Sequence, residues 1–285
     1  MKLTKVDFTN LDKILYPEAG VRKSQVVEYY IRIAPRMLDF LEGRTLVLNR
    51  FPDGVDKQGF YEKDAPLGTP PWIETFKKYS ETAEREINYI VGHGLDTLLW
   101  LANLAAIEIN ITLSKAQSYD VPDLVFIDVD PEPPAGFEDA VSTALLLKNR
   151  LDDLGLKSYV KTSGKKGLHV IIPILKGHTF KETREFVHGL GKALTQESVL
   201  VVSEFSQGRD PGKVFIDYMQ NSAGKTMIAP YSLRAEKQPT VSTPLDWREV
   251  RKGLKPDGFN ISTVPKRNKS PWEGLFDNKQ KLEVS

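Results

Sequence analysis

The chain has 285 residues, 40% of them hydrophobic and 27% charged, enough to bury a large core in one elaborate domain or two small ones. It has no cysteine, which excludes disulfide frameworks, thiolate metal sites and cysteine nucleophiles. With 39 basic and 38 acidic residues the net charge is +1, so any nucleic-acid contact must come from local basic clusters.

Residues 11–17 read as a turn-rich opening. Ser24 is placed to cap a helix running to about Leu41, with Val26, Tyr30, Ile33, Met37 and Leu41 at helical spacing, Pro35 as a kink and Gly43 as the stop. Asn10, Lys13, Arg22 and Lys23 gather before and at the start of that helix, where a phosphate would be favoured; ordinary solvated lysines are the plainer alternative. Residues 45–50 read as a strand and residues 51–54 as a turn. Phe60 and Tyr61 follow in a loop-rich stretch beside charge, and strand alternation would leave at least one ring exposed. Residues 87–91 are expected as a strand, 96–106 as a buried helix, and 107–113 as a strand with Glu108 and Asn110 on one face.

The segment Phe126-Ile127-Asp128-Val129-Asp130-Pro131 is an apolar run ending in two aspartates one residue apart. Strand alternation puts Asp128 and Asp130 on one face with Phe126, opposite Val125, Ile127 and Val129. Two like charges on a buried sheet repel and resist desolvation unless a cation or hydrogen-bond network compensates. A lone pair of this kind could equally be solvated acids at a strand end. A helix over 137–154 closed by Gly155 follows, then strands over 157–162 and 168–174. They are joined by Ser163-Gly164-Lys165-Lys166-Gly167, which has the ingredients of an anion-binding nest but also the glycines that any hairpin needs. His169 falls on the face opposite Val170, Ile172 and Ile174, and so is expected to be presented rather than packed. Thr179 with Glu182 forms a capping box for a helix to about Glu197. Phe215-Ile216-Asp217 then repeats the Phe-Ile-Asp pattern on another strand, with Gln220, Asn221, Lys225 and Arg234 close behind. Residues 239–244 look extended, 246–254 like a short helix, and 255–285 like a polar tail.

Three strand-borne aspartates suit hard divalent cations, with Mg²⁺ or Mn²⁺ expected in a two-metal site for phosphoryl transfer. Zinc is disfavoured because His93, His169, His178 and His188 are not spaced as a ligand set, and no G-x-S-x-G element supports a serine hydrolase. The nest lysines would neutralise a triphosphate, and Arg234 offers a bidentate phosphate contact.

Five ordered blocks, LDKILYP, RFPDGVD with FYEK, FIDVDP, TSGKKGLH and KVFIDYMQNSAGKTMIAPYSLR, span residues 11–234. Together they make the chain resemble the polymerase domain of bacterial DNA ligase D, in the archaeo-eukaryotic primase superfamily, as a stand-alone end-joining polymerase. The resemblance implies an α/β (α+β) primase-polymerase-like fold, with mixed sheets flanked by helices and a central active-site cleft. It implies one domain over 1–285: an N-terminal module of about 1–115, a catalytic module of about 116–254 and a tail of 255–285. By resemblance Asp128, Asp130 and Asp217 are the catalytic metal ligands, and Ser163, Lys166, His169 and Arg234 hold the nucleotide. Asn10, Lys13 and Lys23 grip a DNA 5′-phosphate, and Phe60 and Tyr61 stack near the templating base. Asn110 stands where the family often has histidine. The implied activity adds nucleotides, preferably ribonucleotides, to 3′-hydroxyl ends at breaks and 5′-phosphorylated gaps. Nucleoside triphosphates and double-stranded DNA ends are the expected partners, with Ku and a separate ligase and nuclease. The alternatives are a replicative primase, a two-metal nuclease sharing the carboxylates, or a non-catalytic module bridging DNA ends. With no signal-type segment and no membrane-length apolar run, a cytoplasmic, nucleoid-associated location is expected.

Overall fold

In the computed structural model, residues 4–81, 83–204 and 210–283 are described, and they divide into two compact units. The first comprises Met1–Thr112, Ile228–Ser242 and Asp257–Asn268; the second comprises Leu113–Met227, Thr243–Pro256 and Lys269–Ser285.

In the first unit the opening is more ordered than its turn residues suggest. β1 (Ile14–Tyr16) and β2 (Val21–Arg22) form a small antiparallel ribbon that leads directly into α1 (Lys23–Leu41). The helix starts one residue before the expected cap: Arg22 occupies the cap position, and the Gln25 side chain accepts its backbone N–H at 2.8 Å. Val26, Tyr30, Ile33 and Met37 are fully buried, as their helical spacing requires. β3 (Thr45–Arg50) pairs with β4 (Phe60–Glu62), and a sheet of order β7, β3, β6, β5 is built from β5 (Thr75–Ser80), β6 (Arg85–Val91) and β7 (Ala106–Thr112). Between β6 and β7 lies α2 (Gly94–Asn103), shorter than the expected helix and buried at Leu98, Leu99 and Leu101.

The second unit holds β8 (Leu124–Pro131), α3 (Phe137–Asp153), β9 (Tyr159–Thr162), β10 (Leu168–Pro173), α4 (Phe180–Glu197), β11 (Val201–Val202) and β12 (Val214–Asp217). β13 (Thr226–Ile228) carries the chain back to the first unit, and β14 (Pro244–Leu245) returns to the second. The sheet runs β11, β12, β8, β10, β9, β14, antiparallel throughout except for the β11–β12 pair. α4 opens on the capping box read from sequence, with Thr179 Oγ1 accepting from the Glu182 amide. It lies so close to the sheet that a Cβ on Gly191 would fall 2.6 Å from the Ser203 Cβ and 3.6 Å from Ile216 Cγ2. Ile216 points away from Asp217 along its strand and pairs with Val129. The helix-covered face is therefore the apolar one, and the aspartates occupy the other.

Two expectations change. The helix expected over 246–254 is a single 3-10 turn, Trp247–Glu249, capped by Asp246 and ended by extended backbone at Val250. Arg248, hydrogen-bonded to Asp246, brings that carboxyl down to about 2. The polar tail packs instead: Trp272 and Leu282 are each 2% exposed, and the Trp272 indole donates to the Val160 carbonyl at 3.0 Å. Its few apolar residues follow no helix or strand period, so no pattern announced their burial.

Candidate active site

The register of the second sheet sets the site. Asp217 on β12 lies directly opposite Asp128 on β8, and Phe215 opposite Asp130. On the other side of β8, His169 of β10 is opposite Asp128, and Lys161 of β9 is opposite His169. Directly paired residues point to the same face, so Lys161, His169, Asp128 and Asp217 form one polar row across four strands.

Opposed Cβ atoms lie roughly 5 Å apart, and two carboxylates at that spacing repel by about 3 kcal/mol at an effective dielectric constant of 20. Each acid is accordingly met by a donor of its own. Asp217 caps the turn that follows it, accepting from the Met219 amide at 2.9 Å and the Gln220 side chain at 2.8 Å. Lys166 Nζ stands 3.2 Å from Asp130 and 3.6 Å from Glu132, and His169 Nε2 stands 3.4 Å from Asp128. The acids are less open than the strand pattern implied: Asp217 is only 6% exposed. His169 is also buried rather than presented, because its ring packs edge-on against Phe126 at 4.9 Å.

β12 stops where Asp217 begins its turn, yet β8 continues. The exposed edge at Phe126 is completed by a side chain: the fully buried Asn221 amide accepts from Phe126 N at 2.9 Å and donates to Phe126 O at 2.6 Å. A primary amide carries the donor and acceptor of a peptide group, so Asn221 substitutes for the missing ladder rung.

The Ser163–Gly167 turn is held from within. Ser163 Oγ accepts from the Lys165 amide at 3.2 Å and the Gly167 amide at 3.0 Å, so two of the expected nest amides are engaged by the turn's own hydroxyl. Gly167 presses against β8: a Cβ there would lie 2.5 Å from the Val129 carbonyl oxygen.

Among the described residues, no three Asp, Glu or His side chains converge as a ready-made cation cage. The donor chemistry nevertheless fits a hard divalent ion. Asp128, Asp130 and Asp217 supply oxygen donors on one sheet face, and each oxygen that accepts one hydrogen bond keeps a second lone pair.

The remaining expected residues lie in the first unit. Asn10 takes a left-handed φ of 50°, and the Lys13 amide donates to its carbonyl. Lys23 N donates to the Lys13 carbonyl, while Lys23 Nζ donates to the Thr9 carbonyl at 2.7 Å. This folds the loop onto the start of α1 and brings Asn10, Lys13 and Lys23 together. Burial first, and the nearby Lys13 charge second, pull the Lys23 ammonium below the usual lysine range. Lys13 also pairs with Asp53 at 2.6 Å. Phe60 and Tyr61 are 44% and 57% exposed, with Arg50 over the Phe60 ring at 5.0 Å and Lys63 over Tyr61 at 5.8 Å. Asn110 donates to the Val47 carbonyl at 3.2 Å.

Arg234 has a partner that its sequence neighbourhood does not show. Its Nε donates to Glu108 Oε1 at 2.9 Å, and Glu108 also accepts from the Ala235 amide and from Asn49 at 2.5 Å. Tyr16 donates to the Arg234 carbonyl, and burial pushes that phenol well above its ordinary range, so it stays a neutral donor. Lys161, fully buried with Nζ 2.7 Å from His169 Nδ1, was also missed, although hairpin closure between Thr162 and Leu168 places it opposite His169.

Comparison with known proteins follows the same blocks. Residues 22–273 match the family model described as LigD, primase-polymerase domain. The chain is 34% identical over 275 residues to the bifunctional non-homologous end joining protein LigD of Bacillus subtilis, covering 96% of this chain and 44% of that protein. It is 34% identical over 258 residues to the multifunctional non-homologous end joining DNA repair protein LigD of Mycobacterium tuberculosis, covering 86% of this chain and 33% of that protein. The chain thus spans less than half the length of these relatives. The solved polymerase domain of Mycobacterium tuberculosis ligase D, in complex with DNA, superposes with a TM-score of 0.89 at 28% identity, covering 97% of this chain and all of that one.

Proposed function

Because the chain belongs to the LigD primase-polymerase family, a nucleotidyltransferase domain, we propose that it extends DNA 3′-hydroxyl ends with nucleoside triphosphates, preferably ribonucleotides, at breaks and 5′-phosphorylated gaps. The observation that carries this proposal is the placement of Asp128, Asp130 and Asp217 on one sheet face, with Asp217 directly opposite Asp128.

Asp128, Asp130 and Asp217 would hold Mg²⁺ or Mn²⁺. Bound there, the ions would make the 3′-hydroxyl more acidic and neutralise charge on the triphosphate. The chain's own work is positioning and charge compensation. Lys166 and His169, which meet Asp130 and Asp128, are proposed to turn to the incoming triphosphate, with Ser163 shaping the turn that carries Lys166. Arg234 is proposed as a further phosphate contact, oriented by Glu108. Asn10, Lys13 and Lys23 would receive the 5′-phosphate of a gap, and the exposed Phe60 and Tyr61 rings would stack near the templating base.

The relatives' names place them in non-homologous end joining, and we assign this chain the same setting. It would act with Ku, a ligase and a nuclease on nucleoid DNA in the cytoplasm. Among the described residues no helix is long and apolar enough to cross a membrane. The test is primer extension on gapped DNA carrying a 5′-phosphate, with Mn²⁺ and ribo- or deoxyribonucleoside triphosphates in parallel. Wild type should extend, and Asp128→Ala, Asp130→Ala and Asp217→Ala should each abolish extension while still binding DNA ends. Undiminished extension by Asp128→Ala would overturn the assignment. Shortening of labelled DNA without triphosphates would identify a nuclease instead.

A further inference from the structure

Lys161 is a lysine in the interior of a sheet. Its side chain is fully buried, it sits in the central row of the site, and its Nζ is 2.7 Å from His169 Nδ1. His169 Nε2 in turn points to Asp128 Oδ1 at 3.4 Å, with Phe126 against the ring. An ammonium has three donors and no acceptor, so an imidazole nitrogen facing it must offer its lone pair. The other nitrogen points the same way: Nε2 faces the Asp128 carboxylate, which only accepts, so the ring proton belongs on Nε2 and Nδ1 is left to accept from the Lys161 amine. With Nδ1 accepting, the ring proton of the neutral imidazole resides on Nε2.

We propose that Lys161 is a positioning residue that fixes His169 as the Nε2–H tautomer. His169 thereby acts on the acid row and on a bound triphosphate as a hydrogen-bond donor, not as a metal ligand through Nε2. A ligating histidine needs the Nε2 lone pair that this tautomer does not have. Lys161 also accounts for the burial of His169: the lysine occupies the inner nitrogen, and the outer one is left for the site. The triphosphate part of this proposal rests on the nucleotidyl-transfer function, whereas the tautomer part does not.

The experiment uses the whole chain labelled with ¹⁵N-histidine, without metal or nucleotide, and long-range proton–nitrogen correlation spectra. The chain has four histidines, so His169 is assigned by the signals lost in His169→Gln. Wild type should show an unprotonated Nδ1 and a protonated Nε2 at His169. Lys161→Met, checked for an otherwise preserved amide spectrum, should shift the His169 nitrogens toward a mixture of tautomers. Lys161→Gln, whose amide can still donate, should retain more of the wild-type pattern. A proton on Nδ1 in wild type overturns the proposal without any variant, and so does an unchanged tautomer in a folded Lys161→Met. In extension assays Lys161→Met should raise the nucleotide KM about tenfold, the worth of one good hydrogen bond, with a smaller change in kcat. If wild type extends nothing, the polymerase assignment fails while the spectra still decide the Lys161–His169 relation.

Discussion

Asn221→Ala tests whether a side chain supplies the ladder rung beside the catalytic acids. The substitution removes one acceptor for Phe126 N and one donor to Phe126 O, formed at 2.9 and 2.6 Å by a side chain with no exposure. A buried backbone group left without a partner costs about 1 to 3 kcal/mol, so about 2 kcal/mol is expected locally if water enters to satisfy one of the two. That corresponds to about 30-fold faster hydrogen exchange at the Phe126 amide, since about 1.4 kcal/mol is tenfold. Exchange should be followed by mass spectrometry on peptides covering 124–131, with a peptide from α1 as internal control. Because Asp128 follows Phe126 by two residues, extension should fall in parallel while DNA-end binding persists. If protection at Phe126 is unchanged, β8 is held by its strand neighbours alone and Asn221 has no part in placing the acids.

Further outcomes follow from particular contacts. Lys13→Ala combined with Lys23→Ala should weaken binding to 5′-phosphorylated gaps more than to unphosphorylated ones in fluorescence anisotropy; equal losses would reduce both to general backbone contacts. Because Lys23 is shifted downward, it deprotonates before an ordinary lysine, so the phosphate-dependent part of that affinity should decline as pH rises through the range below 10.5. Stability moves the opposite way: the cost of burying the charged lysine is present at neutral pH and is relieved as pH climbs through its lowered value. Glu108→Gln should destabilise the first unit by about 1 to 3 kcal/mol, since it removes the carboxylate charge that part-buried Arg234 pairs with, and urea unfolding read from that unit's tryptophans would show it. Gly167→Ala should cost about 1 to 3 kcal/mol and lower extension, because its Cβ would collide with the Val129 carbonyl and push the turn off β8; a neutral result would mean the turn yields freely.

Much of the site was legible because its chemistry rides on period-two alternation. Asp128 and Asp130 share a face by their spacing, and Asp217 declared itself by repeating the same tripeptide. Their register was not legible, since Asp217 meets Asp128 from 89 positions further along the chain and strand pairing at that range leaves no local trace. Arg234 was visible as a cation, but Glu108, its partner, lies on a strand 126 residues earlier. Lys161 could have been found: closing a hairpin around Ser163–Gly167 puts it opposite His169, yet a lysine in a strand reads by default as solvent-facing. The edge strand Thr75–Ser80 escaped because its Phe76-Lys77-Lys78-Tyr79 centre alternates weakly, and residues 272–282 because their buried side chains keep no period.

Lys166, resting between Asp130 and Glu132, has a thermodynamic corollary. On the proposed function it serves as a tethered substitute for an inorganic cation, holding the acid row together when no ion is there. A triphosphate that drew Lys166 to itself would remove this ion pair from Asp130, and a cation held by Asp130 would release Lys166 for phosphate. Each ligand thus lowers the work of admitting the other, and by linkage the enhancement is equal in both directions. The affinity of either measured alone would then understate what the site achieves when both arrive, and Lys166→Ala should reduce that synergy.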